Sequence, residues 1–161
     1  MVSESVDPWA SYERTVVEIL RPGEGTLRVR SAPQPDETTW PWPDERPVHL
    51  LTAWDPGQQR PGHDVNRVRQ AALEADLALL SVPLLVAVGV DPVTGRREEG
   101  VAVRGLAEAD VLALGVRYGQ DAVFAWTPAA WAVVACRGGR RVTTGWSLET
   151  APTPILLQPG T

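Results

Sequence analysis

The chain has 161 residues, 43% apolar and 22% charged, the size and make-up of one globular domain, with no apolar run long enough for a membrane-spanning helix. Fifteen basic residues, all Arg, against twenty acidic ones give a net charge of −5, so neither a nucleic acid nor a membrane is an expected partner. The single cysteine, Cys136, allows no internal disulfide, two histidines make no ordinary structural zinc site, and the acidic start lacks an apolar signal segment, so the expected location is the cytoplasm.

Asp7-Pro8 supplies a capping residue followed by proline at the first helical position, which predicts a short helix from Asp7 to about Arg14. Alternating or β-branched runs at Thr15 to Leu20 and Thr26 to Arg30, parted by Arg21-Pro22-Gly23-Glu24-Gly25, predict a hairpin. Ser31 to Pro47 carries five prolines and the Trp40-Pro41-Trp42-Pro43 repeat, which suit neither helix nor ladder, and it reads as an extended surface loop. Val48 to Trp54 reads as a strand, Asp64 to Leu80 as a helix, and Leu84 to Val90 as a continuous apolar strand. The turn Asp91-Pro92-Val93-Thr94-Gly95-Arg96 leads into a strand near Glu98 to Arg104. Leu106 to Tyr118 reads as an amphipathic helix ended by Gly119, and Asp121 to Trp126 as the next strand. The order β-α-β-β-α-β predicts an α+β, ferredoxin-like core with both helices on one face of a mainly antiparallel sheet. The first hairpin and a closing one, Trp131 to Cys136 with Arg141 to Trp146, extend that sheet. This divides the chain into 1–47 (helix, hairpin and Pro/Trp-rich loop), 48–150 (core and closing hairpin) and a tail, 151–161.

Alternation of chain direction brings Asp55, Asn66, Glu98 and Gln120 to one end of the expected sheet. Asn66 heads a helix face continued by Gln70, Leu73, Leu77 and Leu80, polar only at its start. It reads either as a ligand-orienting amide at a helix N-terminus, where Arg60, Arg67 and Arg69 favour an anionic or carbonyl-bearing ligand, or as a brace for the loop from Asp55 to His63. Glu98 shares a strand face with Gly100 and Ala102, which leaves room beside a carboxylate; the plainer reading is a solvated edge-strand face. Asp55, before Pro56-Gly57, suits an Asx-type turn, or an acid–base pair or Mg²⁺ site with Glu98, but no spacing marks a metal and no motif names a cofactor. His49, His63 and Cys136 carry no catalytic signature, and Cys136 reads as a small hydrophobe. Trp40 and Trp42 either clamp their loop to the domain or form a binding surface.

Four blocks in order, Leu51-Thr52-Ala53-Trp54-Asp55-Pro56-Gly57, Asn66-Arg67 leading to Leu73-Glu74-Ala75-Asp76-Leu77, Glu98 before Gly105-Leu106, and Tyr118 to Trp126, resemble the bacterial domain-of-unknown-function family DUF3293 over roughly Val48 to Trp126. The family usually has Asn at the place of Asp55 and a Ser-type cap at that of Ala107. The resemblance implies no reaction; it implies that Thr52, Asp55, Asn66, Glu98 and Gln120 are motif positions. The expected function is therefore a polar small-molecule binding or catalytic site at that end of the sheet. Glu98 and Asn66 are the catalytic candidates; Thr52, Asp55, Arg67 and Gln120 are the ligand-binding ones. The competing expectation is a protein-interaction module, such as an immunity or accessory protein, using the Trp/Pro-rich loop and the acidic surface with a protein partner.

Overall fold

The computed structural model describes residues 8–151; Asp7 and residues 152–161, read above as a cap and a tail, lie outside them. In chain order come helix α1 (Pro8–Arg14), strands β1 (Val16–Arg21), β2 (Gly25–Ala32) and β3 (Val48–Leu51), helix α2 (His63–Leu79), strands β4 (Leu84–Val90) and β5 (Arg97–Arg104), helix α3 (Glu108–Arg117), and strands β6 (Ala122–Thr127), β7 (Ala130–Ala135) and β8 (Arg141–Ala151). The strands close into one antiparallel barrel, ordered β1-β2-β8-β7-β6-β3-β5-β4, with β4 paired back to β1. No helix among the described residues is long and apolar enough to cross a membrane.

The ferredoxin-like α+β core expected from the sequence is overturned by this closure. The two hairpins read as sheet extensions do not stop at the sheet edges. β1 covers β4, β7 covers β6, and β2 pairs with β8 from Thr26↔Ala151 to Ala32↔Gly145. Strand β8, expected to end at Trp146, continues to Ala151, and that extra length carries most of the closing ladder. A closed barrel leaves no edge strand to pair with another chain.

Alternation along the strands separates two cores. Outside the barrel, Leu73 and Leu77 of α2 and Val111 and Leu114 of α3 pack on Leu51, Val101, Val103, Val123 and Ala125. Inside it, Val17, Ile19, Leu27, Val29, Leu50 and Ala102 meet the fully buried tryptophans Trp126, Trp131 and Trp146. That interior is filled at the end where β3 begins and β5 and β6 finish. There the proline-rich loop lays Trp40 and Trp42 against Trp126, ring centroids 5.0 and 6.1 Å apart. Trp40 Nε1 donates to the Asp44 carbonyl at 2.8 Å, and Arg104 stands over Trp42 while pairing with Asp44. The loop is a plug.

The plug approaches β8 so closely that a Cβ on Gly145 would lie 2.1 Å from the carbonyl carbon of Gln34 and 2.5 Å from its oxygen. Backbone cannot swing aside as a side chain does, so Gly145→Ala is expected to cost about 2–3 kcal/mol, read as a lower denaturant midpoint at unchanged m-value. Parental stability in that variant would show that the loop is not seated on β8.

Candidate functional site

The opposite end of the barrel is open, and a cavity of about 430 Å³ enters it. Its wall is apolar, formed by Val17 of β1, Leu50 of β3, Ala87 of β4 and Phe124 of β6, with Gly89 and Gly100 adding no side chains. Its rim is polar, with Thr52, Asp55, Arg60, Arg96, Glu98 and Gln120 on one side and Tyr12, Arg14 and Asp91 on the other.

The loop after β3 shapes half of this rim, and its backbone is held almost entirely by side chains. Asp55 lies in the left-handed region at φ 46°, which aspartate tolerates better than most residues. Its N–H donates to Asn66 Oδ1 at 3.0 Å, and Asn66 Nδ2 donates back to Asp55 Oδ1 at 2.9 Å. Arg96 contacts the second carboxylate oxygen. One turn further along α2, Gln70 Oε1 accepts the Ala53 N–H at 3.1 Å, while Arg69 Nε donates to the Ala53 carbonyl at 2.9 Å and its Nη2 to the Tyr118 carbonyl. Thr52 Oγ1 accepts the Trp54 N–H at 3.0 Å and donates to the Glu99 carbonyl.

Gln120 arrives from the end of α3. Gly119, at φ 71°, permits the turn in which the Gln120 N–H donates to the Gly115 carbonyl at 2.8 Å. The Gln120 Nε2 then donates to the Trp54 carbonyl at 2.9 Å and to the Tyr118 carbonyl at 3.3 Å. Glu98 points inward from β5 opposite Gly89, with Arg96 Nε 3.5 Å from Oε1. Burial raises its pKa above the ordinary carboxylate value, and the charges of Arg96 and Arg60 partly offset that. Across the mouth, Arg14 of α1 makes two hydrogen bonds to Asp91, at 2.9 and 2.7 Å, which hold that carboxyl well below the usual range.

Thr52, Asp55, Glu98 and Gln120 thus border one cavity. Asn66 does not: it is 2% exposed and sits behind Asp55 with its amide committed to that residue, the geometry of a brace. Arg67 is exposed on α2 and away from the cavity. Arg69, grouped with Arg60 and Arg67 near the helix start, holds backbone carbonyls of the rim, whereas Arg96 and the Arg14–Asp91 pair carry no site signal in the sequence. Arg96 looks like an ordinary turn residue beside Gly95, and nothing in its spacing points to Asp55. Asp55 spends its oxygens on Asn66 and Arg96, and no group of three or more His, Cys, Asp or Glu that could hold a metal gathers among the described residues. Neither His49 nor Cys136 borders the cavity. His49 is buried outside the barrel, which lowers its pKa, and burial pushes the Cys136 thiol up to about 11.

Fold and rim together define an antiparallel barrel with one plugged end and one open, polar-rimmed mouth. Residues 51–123 match the family described as Protein of unknown function (DUF3293), a stretch of somewhat under half the chain. It runs from the end of β3 into β6, so it includes both long helices and Thr52, Asp55, Glu98 and Gln120, but not the strands that close the barrel. No curated protein and no solved structure matches the chain.

Asn66→Ala would leave a buried carboxylate oxygen and a backbone N–H without their partner, an expected loss of about 1–3 kcal/mol, against roughly 0.5 kcal/mol or less for Arg67→Ala. Equal denaturant midpoints for the two variants would remove the brace. Cys136, protonated at neutral pH, is expected to react with a disulfide reagent at least about tenfold more slowly in the folded chain than after unfolding. Equally fast labelling in the folded chain would show an ionised, accessible thiol.

Proposed function

We propose that the protein binds a small molecule in the open mouth of its barrel, with any chemistry carried out at Glu98. The observation that carries this reading is the contrast inside one barrel: an end packed with tryptophan, and an end left empty above an apolar wall with a half-buried carboxylate facing the space. Pockets that bind small molecules have this composition, mostly apolar with a few convergent polar groups. Thr52, Asp55 and Gln120 serve as positioning groups on the rim, and Asn66 acts through Asp55. Glu98 is the group placed to exchange a proton with a bound molecule, because its carboxyl faces the cavity from β5; burial raises its pKa above the ordinary carboxylate value. The cytoplasm is the location that goes with this reading, in keeping with a free thiol at Cys136. The interaction-module reading has less support, since Trp40 and Trp42 are occupied against Trp126.

The test is a thermal-shift screen of the full chain against a metabolite library, repeated with Glu98→Gln. A ligand that binds only the folded state raises the melting temperature by mass action. At least one compound is expected to stabilise the parent and to lose most of that effect in the variant. A folded-state pKa above the unfolded value means that the native chain holds its proton longer, so the contribution of Glu98 to stability is present at low pH and lost as pH rises through the folded value. The unliganded Glu98→Gln chain is therefore expected to melt no lower than the parent at pH 7, with its advantage shrinking as pH falls toward 4.5. A library without a stabilising compound, or shifts indifferent to residue 98, would overturn the assignment.

A further inference from the structure

A closed barrel offers no strand edge to another chain, so a protein partner has to meet its outer wall or a helix packed on it. Helix α2 presents such a face. Asn66, Gln70, Leu73 and Leu77 bury one side of it, and the side turned away from the barrel carries Val65, Val68, Ala72, Ala75 and Leu79, alternately three and four residues apart. Val68 is 72% and Leu79 84% exposed, and Ala71 and Ala78 lie exposed beside them. The one charged residue on this side is Asp64, in the first turn. Of the seven large apolar residues exposed among the described ones, four (Val65, Val68, Leu79 and Leu80) belong to α2 or follow it directly. Helix α3 differs, with Asp110 and Arg117 among its exposed residues. A surface helix ordinarily turns charge to water, so an apolar stripe on the outer side of α2 marks an interaction surface.

The charges along its edges point to what covers it. Arg67 and Glu74 stand on one edge of this face, two turns apart, the base nearer the start of the helix and the acid nearer its end. Neither forms an ion pair or a side-chain hydrogen bond among the described residues. Arg69 and Asp76 repeat that order on the other edge, but Arg69 is held by the Ala53 and Tyr118 carbonyls and Asp76 by Tyr118 and Arg117. When two such helices pair antiparallel, each edge meets its own copy reversed, so Arg67 of one faces Glu74 of the other, and this happens twice. A parallel pair would set Arg67 level with Arg69 and Glu74 level with Asp76, like charge against like.

We infer that α2 pairs antiparallel with α2 of a second copy of this chain, about a twofold axis near Ala71 and Ala72. The midpoint of Arg67 and Glu74 falls between Gln70 and Ala71, and that of the stripe from Val65 to Leu79 falls at Ala72, so one axis serves both the charges and the apolar contact. Across it Val68 of one copy lies against Ala75 of the other, and Val65 against Ala78, large on small. The alanines near the axis let the two helices approach closely. A twofold contact uses the same patch on both subunits, and this patch is complementary to itself in charge and in side-chain size. A helix of 17 residues is about 25 Å long, so the seam is short and the dimer is a weak one, formed in the micromolar range. None of the residues of the stripe borders the cavity, so the pairing does not depend on the ligand reading.

The test is sedimentation velocity of the full chain from about 1 to about 200 μM, a range over which mass action carries a weak dimer from mostly dissociated to mostly formed. The same runs are made with Val68→Asp, Arg67→Glu, Glu74→Arg and the double reversal Arg67→Glu/Glu74→Arg. The parent is expected to pass from monomer to dimer as concentration rises. Val68→Asp, at a position too exposed to disturb the fold of one copy, should weaken the dimer at least about tenfold, a gap of roughly 1.4 kcal/mol. Each single reversal sets like charges against each other at two places and should weaken it at least about threefold, and the double reversal should return it to within about twofold of the parent. Melting temperatures in dilute solution within a few degrees of the parent keep loss of pairing apart from loss of fold. A parent that stays monomeric at the highest concentration would overturn the inference, whatever else the face meets. So would a dimer indifferent to Val68→Asp. A double reversal no stronger than the single ones would show that Arg67 and Glu74 do not meet and would remove the antiparallel pairing.

Discussion

The β2–β8 ladder is the interaction on which the rest of the molecule depends. Its pairs run from Thr26↔Ala151 to Ala32↔Gly145, joining segments from opposite ends of the described chain. Without it, the sheet would have two open edges and one apolar face carrying Trp126, Trp131 and Trp146 toward water. With it, that face becomes an interior, and Trp126 and Trp131 are 0% and 1% exposed. Closing so long a loop costs entropy, but that cost grows only slowly with length, while each ladder pair adds its own bonds and buries a further share of the aromatic interior. Outside the barrel the same ladder is laced by charge, Arg28 and Arg30 each 3.8 Å from Glu149. Exposed pairs of this kind set register more than they add stability.

The closed interior is filled unequally because of side-chain size along the strands. Inward-facing residues shrink toward the mouth: Trp126, Phe124 and Ala122 on β6, Trp131, Val133 and Ala135 on β7, and Leu85, Ala87 and Gly89 on β4. Such a taper packs one end solid and leaves room at the other. The cavity is thus written into the order of large and small residues on alternate positions, not into any one loop. Part of the opening on the β6–β7 side is covered by α1, where Trp9 packs on Val133 and Ala135.

That taper was there to be read in the sequence, yet its meaning depends on closure, which local patterns do not reveal. The periodicities of Val48 to Trp126 find helices and strands where the chain has them, because they depend on neighbours three, four or two residues away. Nothing local says that Thr26 will face Ala151, and a hairpin looks the same whether it ends a sheet or closes a barrel. The gathering of Thr52, Asp55, Glu98 and Gln120 could be read because it follows from chain direction alone and survives the change of architecture. The part played by Asn66 could not be settled that way. Position on a helix face shows that a side chain points at the loop, but only the two-way hydrogen bond with Asp55 shows that it has nothing left for a ligand. Arg96 was illegible for a related reason, since its partner Asp55 lies far back in the chain, beyond an intervening helix and strand.

The rim groups owe their usefulness to being held before any ligand arrives. The loop after β3 has little regular structure of its own, and an unsupported loop would have to be ordered on binding, at a cost to affinity. Here Asn66, Arg69 and Gln70, all on one helix, and Gln120, just past the end of α3, take up the backbone groups of Ala53, Trp54 and Asp55. Asp55 in turn fixes Arg96, and Arg96 reaches Glu98, so the one inward carboxylate is oriented through a chain of contacts that begins on α2. The helix is itself set by Leu73 and Leu77 packed on the outer face of the barrel. A core that lies outside the barrel therefore determines the geometry of a cavity inside it, which is the arrangement that lets a polar rim stay rigid above an empty apolar space.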